Sequence, residues 1–333
     1  MTSKQRGLRA LAIATLAASA ALTSPVQAQV PASGSYPARP ITLIVPTAAG
    51  GTTDISARML AVPLGAALGQ TLVVDNRGGG NGSIAAVAVK RAEPDGYTLL
   101  MQYSGYQVIT PLVSKTALGW EAKDLQPVAN VISAPQVIVV RAGLPVKTMA
   151  ELIAYAKANP GKLNYASSGN GSLQHVTGAM LEQQTGIQMT HIPYKGTGPA
   201  LQDLLGGQVD LTFGTPPPFI AHIQSGKLRA LAITGKTRLP SLPEVPTTAE
   251  AGLPKLDATS WFAVFAPAKT PKPIIDKLSG EIAKLVATPA FKQKAIEQGA
   301  SVDYMSPKQL ADFTTAELAR WAQVVKTSKI EAD

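Results

Sequence analysis

The stretch Ile41-Thr-Leu-Ile-Val45-Pro46-Thr47-Ala-Ala49-Gly50-Gly51-Thr52-Thr53-Asp54 sets how the rest of the chain is read. Its first five residues are apolar or β-branched without a break, the pattern of a buried strand. Residues 46–53 are small and turn-forming, and Asp54 opens a helix on which Ile55, Met59, Val62 and Ala66 recur at the helical period. Pro63 falls inside that pattern and is expected to kink the helix or end it early. A strand, a loop of small residues and a helix N-terminus in direct succession is the building unit of an α/β fold with a largely parallel sheet.

The unit recurs at residues 76–83, 103–107, 167–173 and 214–219. Strands are expected over 71–74, 97–102, 163–166, 209–213, 228–233 and 260–266. Helices are expected over 83–91, after the capping box Thr148-Met-Ala-Glu151, and from Ser172 with Leu173, Val176 and Met180 on one face. The C-terminal part is helical, with a stripe of Ile274, Leu278, Ile282 and Leu285. A final helix is capped by Ser306-Pro-Lys-Gln309 and buries Leu310, Phe313, Trp321 and Val324, with Glu317 interrupting that face.

The 333 residues are 45% hydrophobic and 15% charged, which suits a globular chain with real cores and, at this length, two domains. There is no cysteine, so thiol nucleophiles, redox pairs, zinc fingers and iron–sulfur ligation are excluded, and three histidines leave little for metal chemistry; no metal and no cofactor are expected. The formal charge is +9, but Lys4, Arg6 and Arg9 supply three of it ahead of the apolar run 10–22 and the Val26-Gln-Ala28 cleavage signature. Residues 1–28 therefore read as a secretory signal peptide, with an exported, periplasmic chain beyond them. The remaining +6 is dispersed without a basic run, so no nucleic-acid partner is expected.

Gly80-Asn-Gly-Ser-Ile-Ala85 matches a dinucleotide fingerprint but lacks both the tight turn and the acid about 20 residues on, and Gly235-Lys-Thr237 has only the end of a phosphate loop. The mature chain shows neither a nucleophile motif nor paired carboxylates in the small-residue loops. Those loops carry Thr47, Thr52, Thr53, Ser104, Ser168, Asn170, Ser172 and Thr215, with Gly50, Gly51, Gly169 and Gly171 baring backbone amides. Neutral donors at helix N-termini suit a carboxylate, and Asp54, the one acid nearby, reads better as a helix cap than as a partner for an amine. His175 is read either as a hydrogen-bonding group at the cleft or as packing.

The runs Tyr36-Pro-Ala-Arg-Pro-Ile-Thr-Leu-Ile-Val-Pro46, Val74-Asp-Asn-Arg77, Pro94-Asp-Gly-Tyr-Thr-Leu-Leu100, Lys162-Leu-Asn-Tyr-Ala-Ser-Ser-Gly-Asn-Gly-Ser172, His191-Ile-Pro-Tyr-Lys-Gly196 and Leu204-Leu-Gly-Gly-Gln-Val-Asp-Leu211 resemble the Bug-type receptors. These are the periplasmic substrate-binding proteins of tripartite tricarboxylate transporters. The resemblance implies an α/β, two-lobed periplasmic-binding-protein fold of the type II, Venus-flytrap kind. Lobe 1 would be 36–130 plus 258–333 and lobe 2 131–257, joined by a two-crossing hinge. It implies a monomer without catalysis that binds an organic carboxylate, a dicarboxylate or an aromatic one, and hands it to membrane transporter subunits. The alternatives are a sensor feeding a signalling kinase or a hydrolase of a carboxylic substrate. Carried over by position, the ligand residues would be Thr47, Ala49, Gly50, Gly51 and Thr52 from one lobe and Ser168, Asn170, Gly171 and His175 from the other; Ser104 and Thr215 join them from the polar loops. Thr47 stands where the family commonly has an aromatic residue.

Overall fold

The computed structural model describes residues 36–114 and 118–328; the expected signal segment, 1–28, lies outside them. Two mixed sheets organise these residues. The first contains β1 (Ile41–Val45), β2 (Leu72–Asn76), β3 (Thr98–Tyr103), β4 (Leu125–Pro135), β10 (Thr259–Pro267) and β11 (Ser301–Met305), in the order β11-β4-β10-β3-β1-β2. The second contains β5 (Val137–Arg141), β6 (Asn164–Ser167), β7 (Thr190–Pro193), β8 (Leu211–Gly214) and β9 (Leu228–Ile233), in the order β7-β6-β8-β5-β9.

In chain order the helices are α1 (Thr52–Leu68), α2 (Ser83–Lys90), α3 (Thr110–Val113), α4 (Met149–Ala158), α5 (Leu173–Thr185), α6 (Thr197–Leu205), α7 (Ile220–Gln224), α8 (Lys272–Ala287), α9 (Pro289–Glu297) and α10 (Pro307–Ser328). Strand β1 lies between β2 and β3, parallel to both, so α1 leads the chain to one side of β1 and α2 brings it back to the other. Strand β6 lies in the same way between β7 and β8, with α5 and α6 as its two connections. Each sheet thus has a point where its winding reverses, and the crevice beyond such a strand end is where open α/β sheets take ligands.

The strand Val137-Ile-Val-Val140 shows why these segments read as unbroken apolar runs. Val137 and Val139 join one buried cluster with Leu204, Phe219 and Ile233, while Ile138 and Val140 join another with Leu152, Tyr165 and Phe213. Side chains alternate across a strand, so a sheet covered on both faces needs apolar residues at every position.

Helix α1 departs from its expected pattern. It runs through Pro63 to Leu68, and its buried side is Ala57, Met59, Leu60, Ala61, Leu64 and Leu68; of the expected stripe Met59 is buried, while Val62 is 79% exposed. Pro63 removes one backbone donor next to the exposed Val62, and the buried apolar ladder holds the helix together. Gly69, at φ 69°, then ends it in the left-handed conformation that glycine adopts without strain. In α10 the interruption at Glu317 is resolved by pairing: the carboxylate is buried and accepts from the Trp321 indole N–H at 3.0 Å and from Arg320 at 3.1 Å.

The chain passes from the first sheet to the second through Gln136 alone and returns over residues 234–258. Gln136 is fully buried. Its N–H donates to Thr234 Oγ1 at 2.9 Å and to the Ala258 carbonyl at 3.2 Å, its carbonyl accepts from Thr234 N–H at 2.9 Å, and its amide donates to Ser260 Oγ at 2.7 Å. The outgoing and returning strands are therefore fastened side by side.

Candidate functional site

The loop after β1 and the loop after β6 meet across the crevice between the sheets. Thr47, Gly51, Thr52, Thr53, Tyr103 and Phe262 from the first sheet's side and Ser168, Gln174, Thr197 and Thr215 from the second's enclose a cavity of about 10 Å³, room for roughly one water. None of these ten residues carries a carboxyl, amine, guanidinium or imidazole, and burial drives the Tyr103 phenol far up, so it stays protonated. Every polar group on the lining is a hydroxyl, an amide or backbone.

Three helix N-termini point into this space. α1 begins after Gly51 and α6 after Gly196, and neither has a side-chain cap; α5 begins after Ser172, whose hydroxyl accepts from His175 N–H. The first-turn N–H groups of a helix lack intrahelical acceptors and carry the positive end of its dipole, so an anion is favoured there. A Cβ on Gly51 would meet Thr197 at 3.5 Å, and one on Gly198 would lie 2.1 Å from the Ala49 carbonyl oxygen, so these two loops approach backbone to backbone. Ala48 N–H also donates to the Lys195 carbonyl at 3.0 Å.

Hydrogen bonds cross the crevice at several points. Tyr103 OH accepts from Leu173 N–H at 2.8 Å and donates to Gln174 Oε1 at 3.1 Å; Ser168 Oγ donates to the same oxygen at 2.7 Å, and Gln174 Nε2 donates to Thr197 Oγ1 at 3.2 Å. Thr215 Oγ1 donates to Thr52 Oγ1 at 2.5 Å, and Tyr106 OH donates to the Ser168 carbonyl at 2.5 Å. Burial pushes the Tyr106 phenol up to about 12. The Thr47 hydroxyl, on a residue only 4% exposed, has no hydrogen-bond partner among the described residues. A buried hydroxyl without a bond costs about 1–3 kcal/mol, so a ligand atom or water reaching Thr47 would recover that cost.

Of the expected residues, the structure brings Thr47, Gly51, Thr52, Ser168 and Thr215 to the cavity. Ala49 and Gly50 lie on the exposed outer edge of the first loop. Ser104 is buried behind the wall, its Oγ accepting from Trp261 N–H at 3.4 Å. Asn170 is half-buried outside the lining; Gly171, at φ 71°, sits against Thr110 and Val113. His175 turns back toward its own loop. Asp54 braces the first loop, accepting from Gly50 N–H at 3.0 Å and from Arg58 Nε at 3.0 Å, as a capping acid does. Tyr103 and Tyr106 spend their ring faces on one another, edge to face with centroids 5.2 Å apart, and Tyr103 also stacks on Phe262 at 5.9 Å.

Tyr103 and Phe262 reach the lining from strands, and Gln174 and Thr197 are the polar helix residues on it that lie outside the loop inventory. Both stand in the first turn of a helix, and Thr197 follows Gly196 in one more strand, loop and helix succession, which is the signal that finds them.

The sequence pattern of the family described as tripartite tricarboxylate transporter family receptor matches residues 56–330. The chain is 40% identical over 310 residues to protein BugT of Bordetella pertussis, covering 93% of this chain and 94% of that one. Among solved structures it is similar to the periplasmic binding protein BugD, with TM-score 0.85 and 37% identity over 90% of this chain and 100% of that one. It is similar to Rpa4515 of R. palustris with adipate, with TM-score 0.86 and 38% identity over 89% and 99%. MatC from Rhodopseudomonas palustris with bound malate gives TM-score 0.82 and 32% identity over 87% and 100%.

Proposed function

Because this chain belongs to the tripartite tricarboxylate transporter receptor family, we propose that it is a periplasmic receptor which binds a small dicarboxylate between its two lobes and delivers it to a tripartite membrane transporter. The family and the solved relatives are solute-binding proteins, so the activity is binding and not catalysis.

The observation that carries the reading is the cavity itself: three helix N-termini and a ring of neutral hydroxyl and amide donors, with no acid on the lining to pair an ammonium group. The bound adipate and malate of two relatives support a dicarboxylate. An aliphatic ligand is favoured over an aromatic one, since Tyr103 is already engaged edge to face by Tyr106 and stacked on Phe262. In this reading the ligand contacts are Thr47, Gly51, Thr52, Ser168, Gln174, Thr197 and Thr215. Residues 36–130 with 258–333 form one lobe and 131–257 the other, the signal segment is removed after Ala28, and the receptor acts as a monomer.

The test is a thermal-shift screen of the purified protein against succinate, malate, adipate, phthalate and aspartate. A ligand that binds only the folded state raises Tm through RT ln(1 + [L]/Kd), about 2.7 kcal/mol at a hundredfold excess over Kd. A shift with an aliphatic dicarboxylate and none with aspartate is the expected result. A response to aspartate alone, or conversion of any acid in the mixture, would sink the reading.

A further inference from the structure

The wall of the cleft formed by residues 167–171 is held from behind by two imidazoles. His175, on α5, and His191, on β7, lie face to face with ring centroids 4.0 Å apart and planes within 3° of parallel. His175 Nδ1 accepts from Gly171 N–H at 3.2 Å, which places that ring's proton on Nε2. His191 Nε2 is 2.6 Å from Ser167 Oγ, and the same Oγ accepts from Gly169 N–H at 3.1 Å. The two rings therefore hold Gly169 and Gly171, the residues on either side of Asn170, while Ser168 between the braced positions faces the ligand cavity.

We propose that this stacked pair is a positioning device that holds the 167–171 wall in its ligand-binding shape only while both imidazoles are neutral, so that acidification of the surroundings loosens the wall and releases the ligand. A proton on His175 Nδ1 would face the Gly171 N–H, donor against donor. A proton on either ring puts a charge against the face of a second imidazole in a half-buried slot, and two protons would repel at 4.0 Å. The other titratable groups packed around the pair do not offset this. From β6, the Tyr165 ring lies tilted by 31° against His191 with centroids 5.0 Å apart, and its hydroxyl donates to the His175 carbonyl at 3.4 Å. From α5, Glu182 accepts from Met189 N–H at 2.6 Å, and burial raises its carboxyl and the Tyr165 phenol alike, keeping both toward neutrality. Beyond the ends of these strands Asp210 is paired with Arg141, and Tyr194 donates to Asp203.

Burial first, and then the neighbouring His175, pushes the His191 imidazole down to about 3. A free imidazole titrates near 6.5, roughly the value His191 regains once the wall loosens. A group whose pKa is depressed in the ordered state supports that state fully above its free value and loses the contribution as pH falls. The wall is therefore firmest above about pH 6.5 and weakens by up to about tenfold per pH unit below it.

The experiment is amide hydrogen exchange on the ligand-free protein at pH 7.5 and 5.0, corrected for intrinsic rates. Protection of residues 167–173 is expected to fall about tenfold or more at pH 5.0, while residues 48–54, braced by Asp54 and Arg58, keep theirs. His175→Asn with His191→Gln, which put amide groups where Nδ1 and Nε2 stood and do not titrate, is expected to abolish the fall; His191→Gln alone, to reduce it. Equal protection of 167–173 at both pH values in the unmodified protein, a parallel fall in 48–54, or a fall retained in the double variant would each overturn the proposal. A second arm, which rests on the receptor reading, titrates malate and adipate at both pH values and expects affinity to drop by a similar factor. If neither acid binds at either pH, the receptor reading fails by itself and the exchange result still decides the role of the pair.

Discussion

The loop after β1 and the loop after β6 occupy the same topological position in their sheets, at the strand where the winding reverses, yet they are held in place by different chemistry. Behind the first stand a carboxylate and a guanidinium: Asp54, 4% exposed, receives Gly50 N–H and Arg58, and Arg58 also reaches Asn76 at 3.2 Å. Behind the second stand two imidazoles and a serine hydroxyl. One brace is a carboxylate–guanidinium ion pair, the other a stack of neutral imidazoles that an added proton would disturb. A cleft built from one wall of each kind has a fixed jaw and an adjustable one.

The strongest way to break this comparison is to hold the loop after β1 away from the start of α6, its neighbour on the second sheet's side of the crevice. Gly198 has ordinary helical space except toward the Ala49 carbonyl oxygen, 2.1 Å from where a Cβ would go. Gly198→Ala is expected to leave Tm nearly unchanged, since alanine favours the helix. It should weaken dicarboxylate binding by about a hundredfold or more, because apparent affinity falls with the fraction of molecules able to close. Calorimetric titration beside a melting curve reads both, and undiminished affinity would mean that the backbone contact is not needed for binding.

Removing the fixed brace comes next. Asp54→Ala leaves Gly50 N–H without its acceptor and should cost about 1–3 kcal/mol of stability and about tenfold in affinity at every pH. A loss of affinity confined to low pH would show that the two braces are not distinct in kind.

The smallest change sharpens the comparison from inside the cavity. Thr47→Val deletes the unpartnered hydroxyl at almost constant volume. The ligand-free protein is expected to gain up to about 1 kcal/mol, while ligand affinity falls by about fivefold to tenfold, the worth of one hydrogen bond. Unchanged affinity would remove Thr47 from the contact set.

What is legible in the sequence is local. Thr148 caps α4, its Oγ1 accepting from Glu151 N–H at 3.1 Å, but the Glu151 carboxylate takes the Lys147 N–H in place of the Thr148 N–H that a full capping box would give it; Ser172 caps α5 as its position before an apolar face implies. The strand–loop–helix succession located both cleft walls because the crevice of an α/β sheet follows from chain order. The exposure of Val62 was not legible, because a helix's buried face is chosen by the sheet it lands on and α1 carries apolar residues on more than one side. Nor was the His175 and His191 stack, whose members are sixteen positions apart in sequence and meet only because β7 pairs beside β6. Gln174 and Thr197 were missed for a similar reason: a polar residue in a first helical turn is ordinary until another loop arrives opposite it.

The fastening at Gln136 has a mechanical corollary. With the outgoing and returning strands bonded side by side through Gln136, Thr234, Ala258 and Ser260, the lobes are hung from one short line, like a door on two adjacent pins. A door so hung swings but does not slide. A few degrees of backbone rotation at that line would move the far edges of the two jaws most and the residues beside it least.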